Sequence, residues 1–338
     1  MAKLRQVHIT IADIEDYQRS ESSFALELRT LDTMTRLGFV CQHGGLYTDE
    51  ITKKTREFDI RAIRGFSFDL DGHPKCVINY ALAIECKSLG KHYPLVLSTI
   101  PSLESETFAS VLISAPQETM EQWFPPQGRF RSIMEIPRGI IRRVPLPECL
   151  FSAKQYVGKS LTQIGRDEQG QFKTEDREVY DKWTQAISSL HEMIDVQLET
   201  GERNNAICMG VSFPMVVVPD ECLYTAQYSC SGRLEQVKPA LEALYYVGAQ
   251  HRFDIVTRIE GEEHITPHLL FVTESRVEPL MTEWIENPQL FNPYLQSSER
   301  SEGGQGLMNY RDVSRQKSAT YRDTTCDKLA TQLATEGR

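Results

Sequence analysis

The chain has 338 residues, 40% of them hydrophobic and 25% charged, and a formal net charge of −10. That mixture is ordinary for a soluble globular protein, and the negative total argues against a protein that coats nucleic acid indiscriminately, although local basic clusters can still attract a polyanion. No run approaches the roughly 20 apolar residues of a membrane span, the start MAKLRQVHITIADIEDYQRSES lacks the apolar core of a signal peptide, and the eight cysteines are scattered with no CxxC pair, so the expectation is a reduced, cytoplasmic protein with no membrane partner.

In chain order, residues 1–23 read as an N-terminal extension. FALELRTLDTMTRL (24–37) carries Phe24, Leu28, Leu31 and Met34 or Thr35 at helical spacing, with Ser22 or Ser23 as N-cap and Gly38 as a stop. Glu27 shares that apolar face. Two strands separated by a polar turn follow in GFVCQHGGLYTDEITKKTREFDIRA. A hairpin around Asp71-Gly72 returns as a strand ending near Lys87, and YPLVLSTI (93–100) is another strand. Between about 101 and 150 the pattern weakens, and the proline-interrupted WFPPQGRF and PRGIIRRVPLPE predict loops or an insertion. The strongest helical signal spans 176–199, with Val179, Trp183, Ala186, Ile187, Leu190, Ile194 and Leu198. Strands are expected at 213–220 and 222–229, a short helix near 234–246, strands in FDIVTRI and HLLFVTE, and a closing helix in VEPLMTEWI. One elaborated α/β domain over 24–291 with a polar tail over 292–338 is the expected organisation.

REFDIRA (56–62) and LAIECK (82–87) alternate apolar and charged residues as half-buried strands do. Residues two apart share a face, so Glu57, Asp59 and Arg61 lie opposite Phe58, Ile60 and Ala62, and Glu85 and Lys87 lie opposite Ile84 and Cys86. A fold has no use for carboxylates there. Asp59 and Glu85 on neighbouring strands could hold one hard divalent ion, with the Cys86 carbonyl as a further ligand. Lys87 could hold or activate a metal-associated water, and the ion would offset charge on a phosphate. These are the parts of a metal-dependent phosphodiesterase.

The order of helical Glu, strand Asp and Glu-x-Lys resembles the PD-(D/E)xK nuclease superfamily, whose core is that of restriction endonucleases. YTDEITKKTREFDIRA, LAIECK and KHYPLVLS are similar to segments of one bacterial group within it, as are VGKSLTQI and FPMVVVPDECLYTA, so the likeness runs from about 24 to 275. Phe58 stands where the motif's proline would be, and Leu95 follows Pro94 where the group has an aromatic. The resemblance implies a restriction-endonuclease-like mixed sheet flanked by helices, with Asp59, Glu85 and Lys87 catalytic and Glu27, Asp59 and Glu85 on the metal. It also implies Mg²⁺ replaceable by Mn²⁺, a nucleic-acid substrate (DNA favoured over RNA), and endonucleolytic cleavage in phage defence or DNA processing. A regulatory protein partner or a homo-oligomer belongs to the same expectation.

The stretch from Arg131 to Arg166 gathers seven basic residues against Glu135 and Glu148. Arg142, Arg143, Lys159 and Gln163 are its candidates for substrate contact. Two other readings compete. The fold could be a catalytically silent module that binds nucleic acid or protein. AKQYVGKS (153–160) also loosely matches a phosphate-binding loop, which would need a strand before it and a helix after it.

Overall fold

The computed structural model describes most of residues 8–287; residues 1–7, 21, 50–52, 69–75, 91, 104–105, 117, 119–138, 147–155, 175–176, 205, 251–258, 262–264 and 288–338 lie outside the description. The expected tail, the turn at Asp71-Gly72, and WFPPQGRF are therefore not described. Within the N-terminal extension, Ile11–Ser20 form helix α1. Helix α2 (Phe24–Arg36) ends as the sequence predicts: Gly38 takes φ +77°, and the Phe39 amide donates to the Met34 carbonyl. Its buried face is Leu26, Thr30 and Met34, while Phe24 and Leu28 are exposed, so the helix is rotated from the expected face.

Strands β1 (Val40–Thr48), β2 (Thr55–Phe68) and β3 (Cys76–Cys86) form an antiparallel meander. Helix α3 (Arg177–Asn204) then crosses one face and delivers β9 (Ile207–Val218) parallel to β3, pairing Glu85 with Val216. The result is a mixed α/β architecture: among the described residues, a large mixed sheet flanked by four helices. Beyond β9 the path continues through β14 (Ile265–Thr273), β12 (Glu242–Gln250), β7 (Tyr156–Arg166), β4 (Leu95–Pro101), β10 (Leu223–Tyr228) and β11 (Leu234–Pro239). The first half of β9 also pairs with β5 (Phe108–Ser114), which carries β6 (Gly139–Pro145) and β13 (Ile259–Gly261). A short β8 (Phe172–Thr174) pairs with β7.

Three further expectations change. β3 is buried at all eleven positions rather than on alternate ones, because helices cover both faces, as in a parallel sheet's interior. On one face Ile78, Tyr80, Leu82 and Ile84 pack against α2 and the closing helix α4 (Glu274–Glu286), with Trp284 fully buried. On the other, Ala81 and Ala83 meet Leu190, Met193 and Ile194 of α3; two alanines let the helix come close. The weak region 101–150 holds real strands, since β5 is FASVLIS, buried throughout. The helix near 234–246 is absent, and β11 and β12 occupy it. Leu234, Val237 and Leu241 have helical spacing but are exposed, and Pro239 would break a helix there.

Among the described residues, no helix is long and apolar enough to cross a membrane.

Candidate metal centre

Alternation along β2 and β3 decides the site. Asp59, Arg61 and Ile63 turn to the face covered by α3, as do Ala81, Ala83 and Glu85. Register brings the acids together, because Ile60 is paired with Ile84 and Asp59 lies one residue before it, Glu85 one after. The Cys86 amide donates to Asp59 Oδ2 at 2.8 Å, and the Asp59 amide donates to Glu85 Oε1 at 3.3 Å. Asp59 and Glu85 are only 9% and 1% exposed. Two carboxylates this close and this dry repel each other and need a cation or a proton.

The cation is Lys182, from the first half of α3. Its Nζ lies 2.9 and 2.8 Å from the two Asp59 oxygens and 2.9 Å from Glu85 Oε2. Burial pushes the Glu85 carboxyl up to about 8, Asp59 pushes the same way, and Lys182 opposes them. For Lys182, burial acts downward, but the charges of Glu85 and Asp59 outweigh it and hold the ammonium above its usual range. Sequence reading passed over this residue. A signal was there: Lys182 stands between Val179 and Ala186 on the buried stripe of α3, three residues from one and four from the other, where a lone charge asks for a partner.

Lys87 continues the β3 ladder, its amide donating to Val217 at 2.9 Å, but the ammonium lodged between the two acids belongs to Lys182. Glu27 accepts from Ser23 Oγ at 2.9 Å and lies 3.4 Å from His43 Nε2. Its bonds go to the helix start and β1 instead of to the acid pair. Glu57 is exposed. Among the described residues no group of three or more His, Cys, Asp or Glu side chains gathers as a metal cage. Cys86 faces away from the acids in the α2-side core, its thiol pushed well above the usual range by burial and then by Asp59; it is no nucleophile.

The basic candidates disperse. Arg142 and Arg143 are consecutive in β6, and exposed Arg143 lies 4.6 Å over the Phe108 ring. Lys159 pairs with buried Glu106 and sits 4.4 Å from the Tyr246 ring centre. Gln163 donates to the Tyr93 carbonyl at 3.1 Å. Gly158 and Lys159 both belong to strand β7, which is not the loop-to-helix turn that wraps a phosphate.

A hard divalent ion fits Asp59 and Glu85. They are oxygen donors from two rigid strands, they already hold a positive charge at hydrogen-bond distance, and Mg²⁺ is commonly held by one or two carboxylates with water completing its shell. Such an ion and the Lys182 ammonium compete for the same oxygens. Comparison with protein-family models, with curated proteins and with solved structures gave no match.

Proposed function

We propose that the chain is a divalent-metal-dependent nuclease with a restriction-endonuclease-like core, DNA being the favoured substrate and Mg²⁺ or Mn²⁺ the ion. The observation that carries this reading is the convergence of Asp59 and Glu85, buried on adjacent strand ends, upon one cation. The run α2, β1, β2, β3, followed after strands β4 to β8 by α3 and a β9 parallel to β3, supports it, if β4 to β8 are read as an insertion into a core similar to the superfamily's.

Asp59 and Glu85 would hold the ion, which when bound offsets charge on a phosphate oxygen and lowers the pKa of a coordinated water. The Cys86 amide fixes the Asp59 carboxylate, so on binding the group that would have to move is Lys182 rather than the acid. Lys87 stands two residues beyond Glu85, its amide still bonded to Val217, and strand alternation carried one residue further would put it on the side of the acids. An ammonium there can orient a water or steady the scissile phosphate's charge. For Asp59 and Glu85 to hold an ion, Lys182 would have to give up its carboxylate contacts.

Plasmid, linear duplex and single-stranded DNA incubated with Mg²⁺, Mn²⁺ or EDTA test the reading. Cleavage with either ion, none in EDTA and none by Asp59→Ala is the expected pattern. One observation favours a second reading, a silent nuclease-like fold: Lys182 already satisfies both acids. Calorimetry decides between them, since a silent fold would take up no Mn²⁺.

A further inference from the structure

Beside the junction of β4, β7 and β8 lies a cavity of about 600 Å³, lined by His92, Tyr93, Pro94, Gly165, Arg166 and Phe172 among others. Its volume falls within the range of small-ligand sites. Its walls are unusual. Tyr93 is 49% exposed and Phe172 68%, and aromatic rings left this open give up the burial that rings ordinarily gain. The Arg166 guanidinium lies 4.1 Å from the Phe172 ring centre, held by its bond to the Gly170 carbonyl at 2.7 Å. The Tyr93 ring lies against bare backbone at Gly165, where an added Cβ would come within 2.3 Å of it. The nearby acid, Asp167, is occupied: its carboxylate accepts the Gln169 and Gln171 amides and pairs with Lys173. Flat faces beside a fixed cation match a flat ring carried on an anionic backbone.

The cavity is also near the acid pair along the chain. The Tyr93 amide donates to the Gly90 carbonyl, closing a tight turn, and two residues, Ser88 and Leu89, separate Lys87 from Gly90. The Cα atoms of Lys87 and Tyr93 are therefore within about 18 Å. That is about five nucleotides of a stacked strand.

We infer that this cavity is a stacking subsite for an unpaired nucleobase, placed a few nucleotides from the phosphate that the acid pair addresses. A base inside a duplex has both faces covered by its neighbours and cannot enter; a single strand, a flap or an extruded base can. The occupant's identity rests on the nuclease reading, whereas the stacking itself does not.

The test uses a fluorescein-labelled single-stranded DNA 12-mer and the matching blunt duplex, titrated by anisotropy in EDTA so that nothing is cut. Phe172→Ala, at an exposed position on β8, should weaken single-strand affinity about 5- to 150-fold and leave duplex affinity unchanged. Phe172→Trp should restore it. Gly165→Ala, which displaces the Tyr93 ring without removing it, should act in the same direction. Wild-type single-strand affinity in both Phe172→Ala and Gly165→Ala overturns the subsite, as does an equal loss for duplex. If those variants bind normally while the wild type cleaves with Mg²⁺, only the subsite fails. If binding depends on Phe172 but no metal supports cleavage, the nuclease reading fails and the subsite stands.

Discussion

Lys182 and Lys159 both end against buried carboxylates, and their charge balance differs. Lys159 meets one acid, Glu106, beside the Tyr246 ring. Nearby His268 adds no charge near neutrality, because burial pushes it down to about 4 against the opposing pull of Glu106. That cluster is balanced. Lys182 meets two acids, so a negative charge or a proton is left over. A balanced pair needs nothing more from outside and serves packing. A second buried acid that keeps its proton up to about pH 8 can exchange it for a further cation, and that asymmetry separates the candidate site from an ordinary buried ion pair.

The largest effect should come from the acids themselves. Asp59→Ala should abolish both cleavage and calorimetric Mn²⁺ uptake, whereas Glu106→Gln should leave both near wild type; loss of activity in each alike would erase the distinction. Next, Lys87→Ala should lower the cleavage rate by about two orders of magnitude or more while metal affinity holds, since an ammonium is no ligand for Mg²⁺. A wild-type rate would assign its role to Lys182.

Lys182→Met sharpens the comparison further. Without its metal the variant should lose up to about 3–5 kcal/mol of stability in urea, because two buried acids lose their partner. With its competitor gone, Mn²⁺ should bind roughly tenfold tighter at pH 8.5, a gain of about 1.4 kcal/mol. Lys159→Met should show a stability loss without the metal effect.

The smallest effect concerns pH. Glu85 in the fold stands at about 8, above its ordinary 4.5, so between those values the folded chain keeps a proton that the unfolded chain releases. Metal-free stability should therefore fall as pH rises from about 4.5 to 8 and level off above; Lys182, raised from 10.5, titrates beyond that window. Glu85→Gln should flatten the decline in melting temperature between pH 5 and 8. Metal affinity should run the opposite way and rise toward pH 8, since the ligand must shed its proton.

Asp59 and Glu85 were legible because period-two alternation puts them on one face whatever lies beyond it, and the hairpin brings their strands together. What covers that face was not legible. Nothing in REFDIRA or LAIECK says that a helix beginning at Arg177 will lie over it, so the strands read as half-buried and Lys182 escaped notice. β5 was missed for the opposite reason: buried on both sides, FASVLIS does not alternate, and a short continuous apolar run carries no period to identify it. The 234–246 segment has apolar residues at helical spacing, but strand pairing with β10 and β14 decides the outcome.

The parallel pairing of β3 with β9 also sets a schedule for biosynthesis. Glu85 is translated about 130 residues before its ladder partner Val216. At ribosomal rates of roughly 5–20 residues per second, about 7–26 s separate the two. Throughout that interval the nascent chain carries both acids without the strand that frames them, and for most of it without Lys182. The candidate site is thus assembled from distant parts of the chain, and a chain stalled before β9 carries its two acids without the strand that frames them.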